Sequence, residues 1–484
     1  AGAPAVAHGF AQPYDLPVPL PLYLAGSGVA VLLSFVVAAL FLRRGGAGGG
    51  YPRYDLLRTR LGRLLFSRPL AKAFEVAAVF VYLLVLAAGL FGAGNQFDNI
   101  APLVVWLYWW VGITYASALL GNVWPLINPL RILFEWAERA LPGNGLSLDL
   151  PYPRWLGVWP AVALFLGFAW FENVFYDPGR PANVASAAMA YSVVTWTGMI
   201  LFGKEVWLRR GEVFTLVFGL YARFAPTELR VGGQVPGAPG CSENPEECVN
   251  CHSCFAAAEP ERRQVNLRPF AAGLRDNRGL SVSLMVLIVT VLATVTFDGF
   301  THTPAWAQLV TGYYLRFGHV DGIGTMTLLA FPLLFLALYL LTCALMPRLA
   351  GRKLPLATAA TSFVLSLVPI ALAYHVAHYL TFLLIVGQEM VRVGPDPFGL
   401  GWDPLGTAGF VPNVEAVNAQ LAWFTAVGAV VVGHVLAVWL AHRVALEHFQ
   451  DSRSAVRSQL PMLVLMVFYT VTSLWILAQP VVGS

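Results

Sequence analysis

Two groups of residues have the types and spacing to do chemistry. The first is Cys241, Cys248, Cys251 and Cys254, four of the five cysteines, spaced C-x6-C-x2-C-x2-C. Two consecutive x2 gaps let three thiolates turn toward one point, and the fourth returns from a Pro- and Gly-rich stretch. Four thiolates at one point favour zinc in a tetrahedral site, with an iron–sulfur cluster as the alternative. His252 could replace one ligand. The run C-x2-C-x2-C also opens a bacterial ferredoxin loop. The closing C-x3-C-P is missing, because Cys254 is followed by Phe255-Ala256-Ala257-Ala258. A closed four-thiolate site has no open coordination position, so its role would be to fold its loop. The competing reading is a set of unliganded loop thiols. Cys343 stands alone in an apolar run and reads as a packed core residue.

The second group is His375 and His378, in SLVPIALAYHVAHYLTFLLIVGQE. At i and i+3 they share one helix face, with Tyr374 and Tyr379 beside them. Pro369 should kink the helix and open a backbone carbonyl. Ionisable groups in an apolar helix are costly and usually face a bundle interior. This pair reads as ligands of a divalent metal or a haem, as a proton or substrate path, or as plain hydrogen-bonding between helices. Asp298 and His302, at i and i+4, could complete a catalytic set in which a divalent ion activates water. His434, after Gly433, is a further cofactor-binding candidate. It lies roughly 10 Å nearer the opposite face of the bilayer by the helical rise, so it joins the same ion only if the kink shifts register. No G-x-S-x-G elbow, Walker A loop or Rossmann fingerprint is present.

These groups need apolar elements to position them. The chain has 484 residues, 57% hydrophobic and only 12% Asp, Glu, Lys and Arg, about half the charged share of an ordinary soluble domain. Mean hydropathy is +0.66. One soluble core cannot hide that excess, so a soluble enzyme, a disordered chain and a disulfide mini-fold are excluded. A net charge of +4 is too small to suggest nucleic acid. An all-α polytopic membrane bundle is left, with the lipid bilayer as its first partner. A small lipophilic molecule or a metal ion would be the second; any partner subunit is unknown.

A membrane helix needs about 20 mostly apolar residues. Ten runs qualify, over 20–42, 71–91, 100–120, 155–171, 183–208, 280–297, 324–346, 358–386, 420–441 and 461–479. Lys and Arg alternate with them. They crowd the loop after run one and the segment between runs five and six, and follow runs seven and nine. The opposite loops hold at most one each. By the positive-inside rule both termini lie outside the cytoplasm and the cysteine segment faces it, where thiols stay reduced. The chain starts at Ala1, and Ala5-Val6-Ala7 resembles a signal-peptidase site, so the mature terminus is Ala1 or His8. Segments 51–68, 124–141 and 212–224 read as interfacial or re-entrant helices. The organisation expected is a membrane half over 1–224, a cytoplasmic Cys-rich metal-binding loop over 225–278 and a second membrane half over 279–484.

The stretches AHGFAQPYDLPVPLPLYL, GNVWPLINPLRIL, GKEVWLRRGEVFTLVFGLYARFAP, CVNCHSCF, YHVAHYLTFLL and GHVLAVWLAH together resemble a group of bacterial polytopic inner-membrane proteins, over nearly the whole chain. Some of these carry the label fenitrothion hydrolase. The resemblance implies a multi-pass inner-membrane location and hydrolysis of lipophilic phosphotriesters. It carries over no catalytic residues, and the H-x-H strand motif of soluble phosphotriesterases is missing. Three functions follow as expectations: a metal-dependent hydrolase built on His375, His378, Asp298 and His302; a transporter of a small molecule or metal ion; and a redox subunit with haem on the histidines and iron–sulfur on the cysteines.

Overall fold

A computed structural model describes residues 19–41, 50–141, 145–232, 247–276, 280–449 and 451–479. Ala1, His8 and Cys241 lie outside these residues, and of Cys248 only the backbone is described. Ten helices are long and apolar enough to cross a membrane: Leu20–Phe41, Arg68–Phe91, Ile100–Leu120, Arg154–Asn173, Pro181–Phe202, Val282–Thr301, Ile323–Leu349, Leu356–Val393, Ala419–His448 and Leu460–Ala478. We call these spans one to ten. They match the ten apolar runs and confirm an all-α polytopic bundle.

Spans six and eight are the hub. Each has 78% of its most apolar window buried, whereas spans one, two and four have 28%. Span eight packs chiefly on span nine, span six on spans four and seven, and span one on spans nine and ten. Span eight is not one continuous α-helix. It runs as α-helix Leu356–Phe363, a 3-10 turn Val364–Leu367 and α-helix Val368–Val386. The break sits where Pro369 removes a backbone donor, in the first turn of the new helix.

Three features depart from the sequence expectation. Span five ends at Phe202, six residues early, because Gly203 turns the chain at φ +85°. Any side chain there would be strained, and a Cβ would stand 2.7 Å from Asp149 Oδ1. Second, Leu103–Gly112 of span three is π-helical. Stretches of this kind are rare and tend to occur at functional sites. Third, 51–68 is not one surface helix. It supplies a short strand, a 3-10 turn and only a six-residue helix, α1 (Arg60–Leu65).

That strand belongs to a four-stranded antiparallel sheet of order β1-β4-β2-β3: β1 Tyr54–Asp55, β2 Thr227–Gly232, β3 Glu247–Val249 and β4 Arg263–Leu267. Tyr54 pairs with Leu267, and Leu267 with Thr227. Glu228, fully buried, locks the sheet. Its carboxylate accepts from Tyr51 Oη at 2.6 Å, Arg230 Nε at 2.7 Å, Arg268 Nη1 at 2.7 Å and Arg53 Nε at 3.1 Å. A buried carboxylate is tolerated only when paired and fully hydrogen-bonded.

The remaining helices used below are α2 (Pro129–Ala140), α3 (Lys204–Arg210), α4 (Val213–Ala222), α5 (His252–Ala257) and α6 (Pro304–Phe317). The expected broken helix over 124–141 is a turn, Trp124–Ile127, followed by α2. The segment 212–224 is α4, packed inside the bundle against spans three and four.

Candidate functional site

Asp298, near the end of span six, is the centre of the site. It is one carboxylate in a run of buried apolar residues, so it has to find partners on neighbouring helices. His378 Nε2 lies 3.0 Å from Asp298 Oδ2, and Tyr379 Oη donates to the same oxygen at 2.5 Å. Both come from span eight. His302, at the turn after span six, holds Nε2 3.9 Å from Asp298 Oδ1 and is 38% exposed. Glu172 of span four is within electrostatic reach of Asp298, Tyr379 and Trp110. The π-helical stretch supplies Trp110. Four spans therefore converge on one acidic point, with exposure rising from Asp298 at 15% to His302.

His375 lies beside this cluster, not in it. It is fully buried, and neither ring nitrogen has a hydrogen-bond partner. Aromatic rings surround it: Tyr379 at 4.7 Å between centroids, Tyr115 at 5.5 Å, Trp110 at 5.7 Å and Tyr221 at 6.2 Å. Tyr221, from α4, leaves its own hydroxyl unpaired. A bare buried imidazole costs about 1–3 kcal/mol. Of the four expected catalytic residues, the structure thus gathers Asp298, His302 and His378. The pair at i and i+3 shares Tyr379 as a neighbour, but only His378 reaches Asp298.

The other candidates are placed elsewhere. His434 is buried on span nine, its Nδ1 donating to Val430 O at 2.8 Å. The buried His442 has Nδ1 2.9 Å from Gln459 Nε2. Glu212 is a fully buried carboxylate, but it caps α4. It accepts from the backbone N–H groups of Phe214 and Thr215 at 3.0 and 2.7 Å, and from the hydroxyls of Tyr191 and Thr215. Saturated in this way, it reads as structural. Among the described residues no group of three His, Cys, Asp or Glu side chains is placed to hold a metal ion.

The chain matches no protein-family profile, and no curated protein or solved structure matches it.

Of the four cysteines expected to hold zinc or an iron–sulfur cluster, Cys251 and Cys254 lie together, their sulfurs joined as a disulfide; Cys241 and the Cys248 side chain lie outside the described residues. Asn250 turns the chain before them at φ +54°, and α5 follows. Beside them His252 is held down to about 4, first by burial and then by Arg131. Glu135 in the same interface is pushed up by burial, yet Arg131 and Lys204 bring it below the ordinary carboxylate range. Arg131 Nη1 donates to Glu135 at 2.6 Å.

Sequence reasoning misses the weight of Trp110, Tyr221 and Glu172. Their signal lies in helix pairing, which spacing along one helix does not carry.

Proposed function

We propose that this protein is a membrane transporter that moves a small solute or metal ion together with, or against, protons, with Asp298 carrying the proton. The observation that supports it is the Asp298 carboxylate itself. It is half-buried at the hub of the bundle, bonded to an imidazole and a phenol, near a second carboxylate, and beside the exposed His302. Chains of Asp, Glu and His inside a membrane bundle are the usual proton relays. Protonating Asp298 would remove its charge from His378 and Tyr379 and loosen the junction of spans six and eight. That change is what could couple proton binding to a shift between spans. The arginine distribution supports placing the sheet in the cytoplasm and His302 on the outer side of a bacterial inner membrane.

The test is proton flux into proteoliposomes holding a trapped pH dye, under an imposed gradient. The wild type should acidify the lumen, and Asp298→Asn should slow this at least tenfold. Flux in the wild type no faster than in empty liposomes rejects the reading.

A second reading follows the hydrolase resemblance. Asp298 holds His378 as a carboxylate orients a general base. A cavity of about 80 Å³ lies on the adjoining face of span eight, lined by Val376, Leu380, Thr381, Leu384, Leu421 and Ala426. A lipophilic ester could reach it from the bilayer. Here His378 would take a proton from the water that attacks phosphorus. Release of nitrophenol from fenitrothion by purified protein, lost in His378→Gln, would favour this reading; no turnover ends it.

A further inference from the structure

We propose that the segment from Arg58 to Lys72 is a docking surface for anionic phospholipid headgroups, on the leaflet beside the four-stranded sheet. The surface is independent of the proton path. Leu61, Leu64, Leu65 and Phe66, on and just after α1, are between 43% and 65% exposed. Leu61, Leu64 and Leu65 stand at i, i+3 and i+4, so they share one face of the helical turn. An apolar patch of this kind marks a contact with lipid or protein. Arg58, Arg60, Arg63 and Arg68 are exposed beside it. Between Asp55 and Glu75 the chain holds these four arginines and Lys72, and no acidic residue. Arg60 and Arg68 have no ion-pair partner among the described residues. The contacts of the other two are long: Arg58 Nε lies 3.9 Å from Asp55 Oδ2, and Arg63 Nη1 lies 3.5 Å from Leu57 O.

The fold holds this face in place. Asp55 Oδ1 accepts from Leu57 N at 3.1 Å and from Val265 N of β4 at 3.3 Å, which ties the turn before α1 to the sheet. Thr59 Oγ1 accepts from Gly62 N at 2.9 Å. Gly62 is buried, and a Cβ there would collide with the Leu56 carbonyl, so α1 lies back tightly on that turn. Only Phe66 and Ser67 separate α1 from span two. The leucine face therefore lies where acyl chains meet headgroups. Apolar side chains edged by arginines are the pattern of a segment seated in that layer. The leucines enter the acyl boundary, and the guanidiniums donate paired N–H groups to phosphate oxygens. Each basic residue near an anionic surface strengthens the attachment about fivefold, and salt screens it. A zwitterionic headgroup sets an ammonium beside its phosphate and has no net charge to offer five cations. Because β1 pairs with β4, lipid held here also holds the sheet against the bilayer.

The test uses the full chain in nanodiscs, one set of phosphatidylcholine alone and one an equal mixture with phosphatidylglycerol. Hydrogen exchange of the amides of residues 60–66 should be about threefold slower, or more, in the mixed lipid. Raising the salt from about 0.05 M to about 0.5 M should remove most of that difference. Arg60→Gln with Arg63→Gln should abolish it, while peptides from span six exchange as in the wild type. Equal exchange in the two lipids overturns the proposal. Fast in both would mean a segment in water, and slow in both would mean one held by apolar contact or by the protein itself. Protection that persists at high salt, or that survives the double substitution, overturns it too. The lipid comparison and the salt series need only the wild type, so a misfolded variant does not remove the test.

Discussion

At the scale of single residues, the carboxylates of Glu212 and Asp298 differ in what surrounds them. Glu212 receives two backbone N–H groups and two hydroxyls, and its role ends with capping α4. Asp298 is bonded to an imidazole and a phenol from span eight. Outside the membrane, His252 is the residue with a clear pH consequence. Burial and Arg131 hold it down to about 4, against an ordinary value near 6.5. The unfolded chain therefore binds a proton over a range where the folded chain does not. Stability contributed here is complete above about pH 6.5 and falls as the pH drops toward 4, by up to about 3 kcal/mol. Thermal unfolding in detergent at pH 7 and pH 5 should show this loss, and His252→Asn should shrink it.

At the scale of elements, the junction of spans eight and nine depends on Gly433. A Cβ at that position would stand 2.4 Å from Ala373 Cβ and 2.7 Å from Pro369 O. Small residues allow such close approach of membrane helices. Gly433→Val should force the spans apart and cost about 1–3 kcal/mol, read as a lower midpoint of thermal unfolding. Since His375 and His378 sit on the partner helix, proton flux should fall with it. Much of this level was legible in the sequence. Apolar length alone located ten spans, and Pro369 located the break in span eight. The sheet was hidden because β1 is two residues long and its strands carry arginines, so no alternation marks them. The π-helical turn left no mark either, since LVVWLYWWVG suits any apolar helix. For the same reason Asp298, His302 and His378 were legible as a group, while the separate surroundings of His375 were not. Those depend on which rings spans three and eight and α4 present to one another.

At the scale of the whole molecule, the arginine-rich sheet precedes the start of span six and the Asp298 cluster lies near its end, so the two occupy opposite ends of that span. We expect a cysteine placed at Val411 to react with a membrane-impermeant maleimide in intact cells, and one placed at Arg58 to react only after lysis. Both are exposed in the structure. The opposite pattern would invert the orientation and send the proton route the other way.

The sheet also imposes an order on biosynthesis. Among the described residues, Tyr54 and Asp55 pair with Leu267 and Asn266, which leave the ribosome after five spans have been made. Until then the first loop has no edge to dock on, and Arg53 and Tyr51 wait for Glu228. The N-terminal spans must therefore sit in the bilayer unfastened at this end, and a nascent chain halted before residue 263 should leave that loop open to protease.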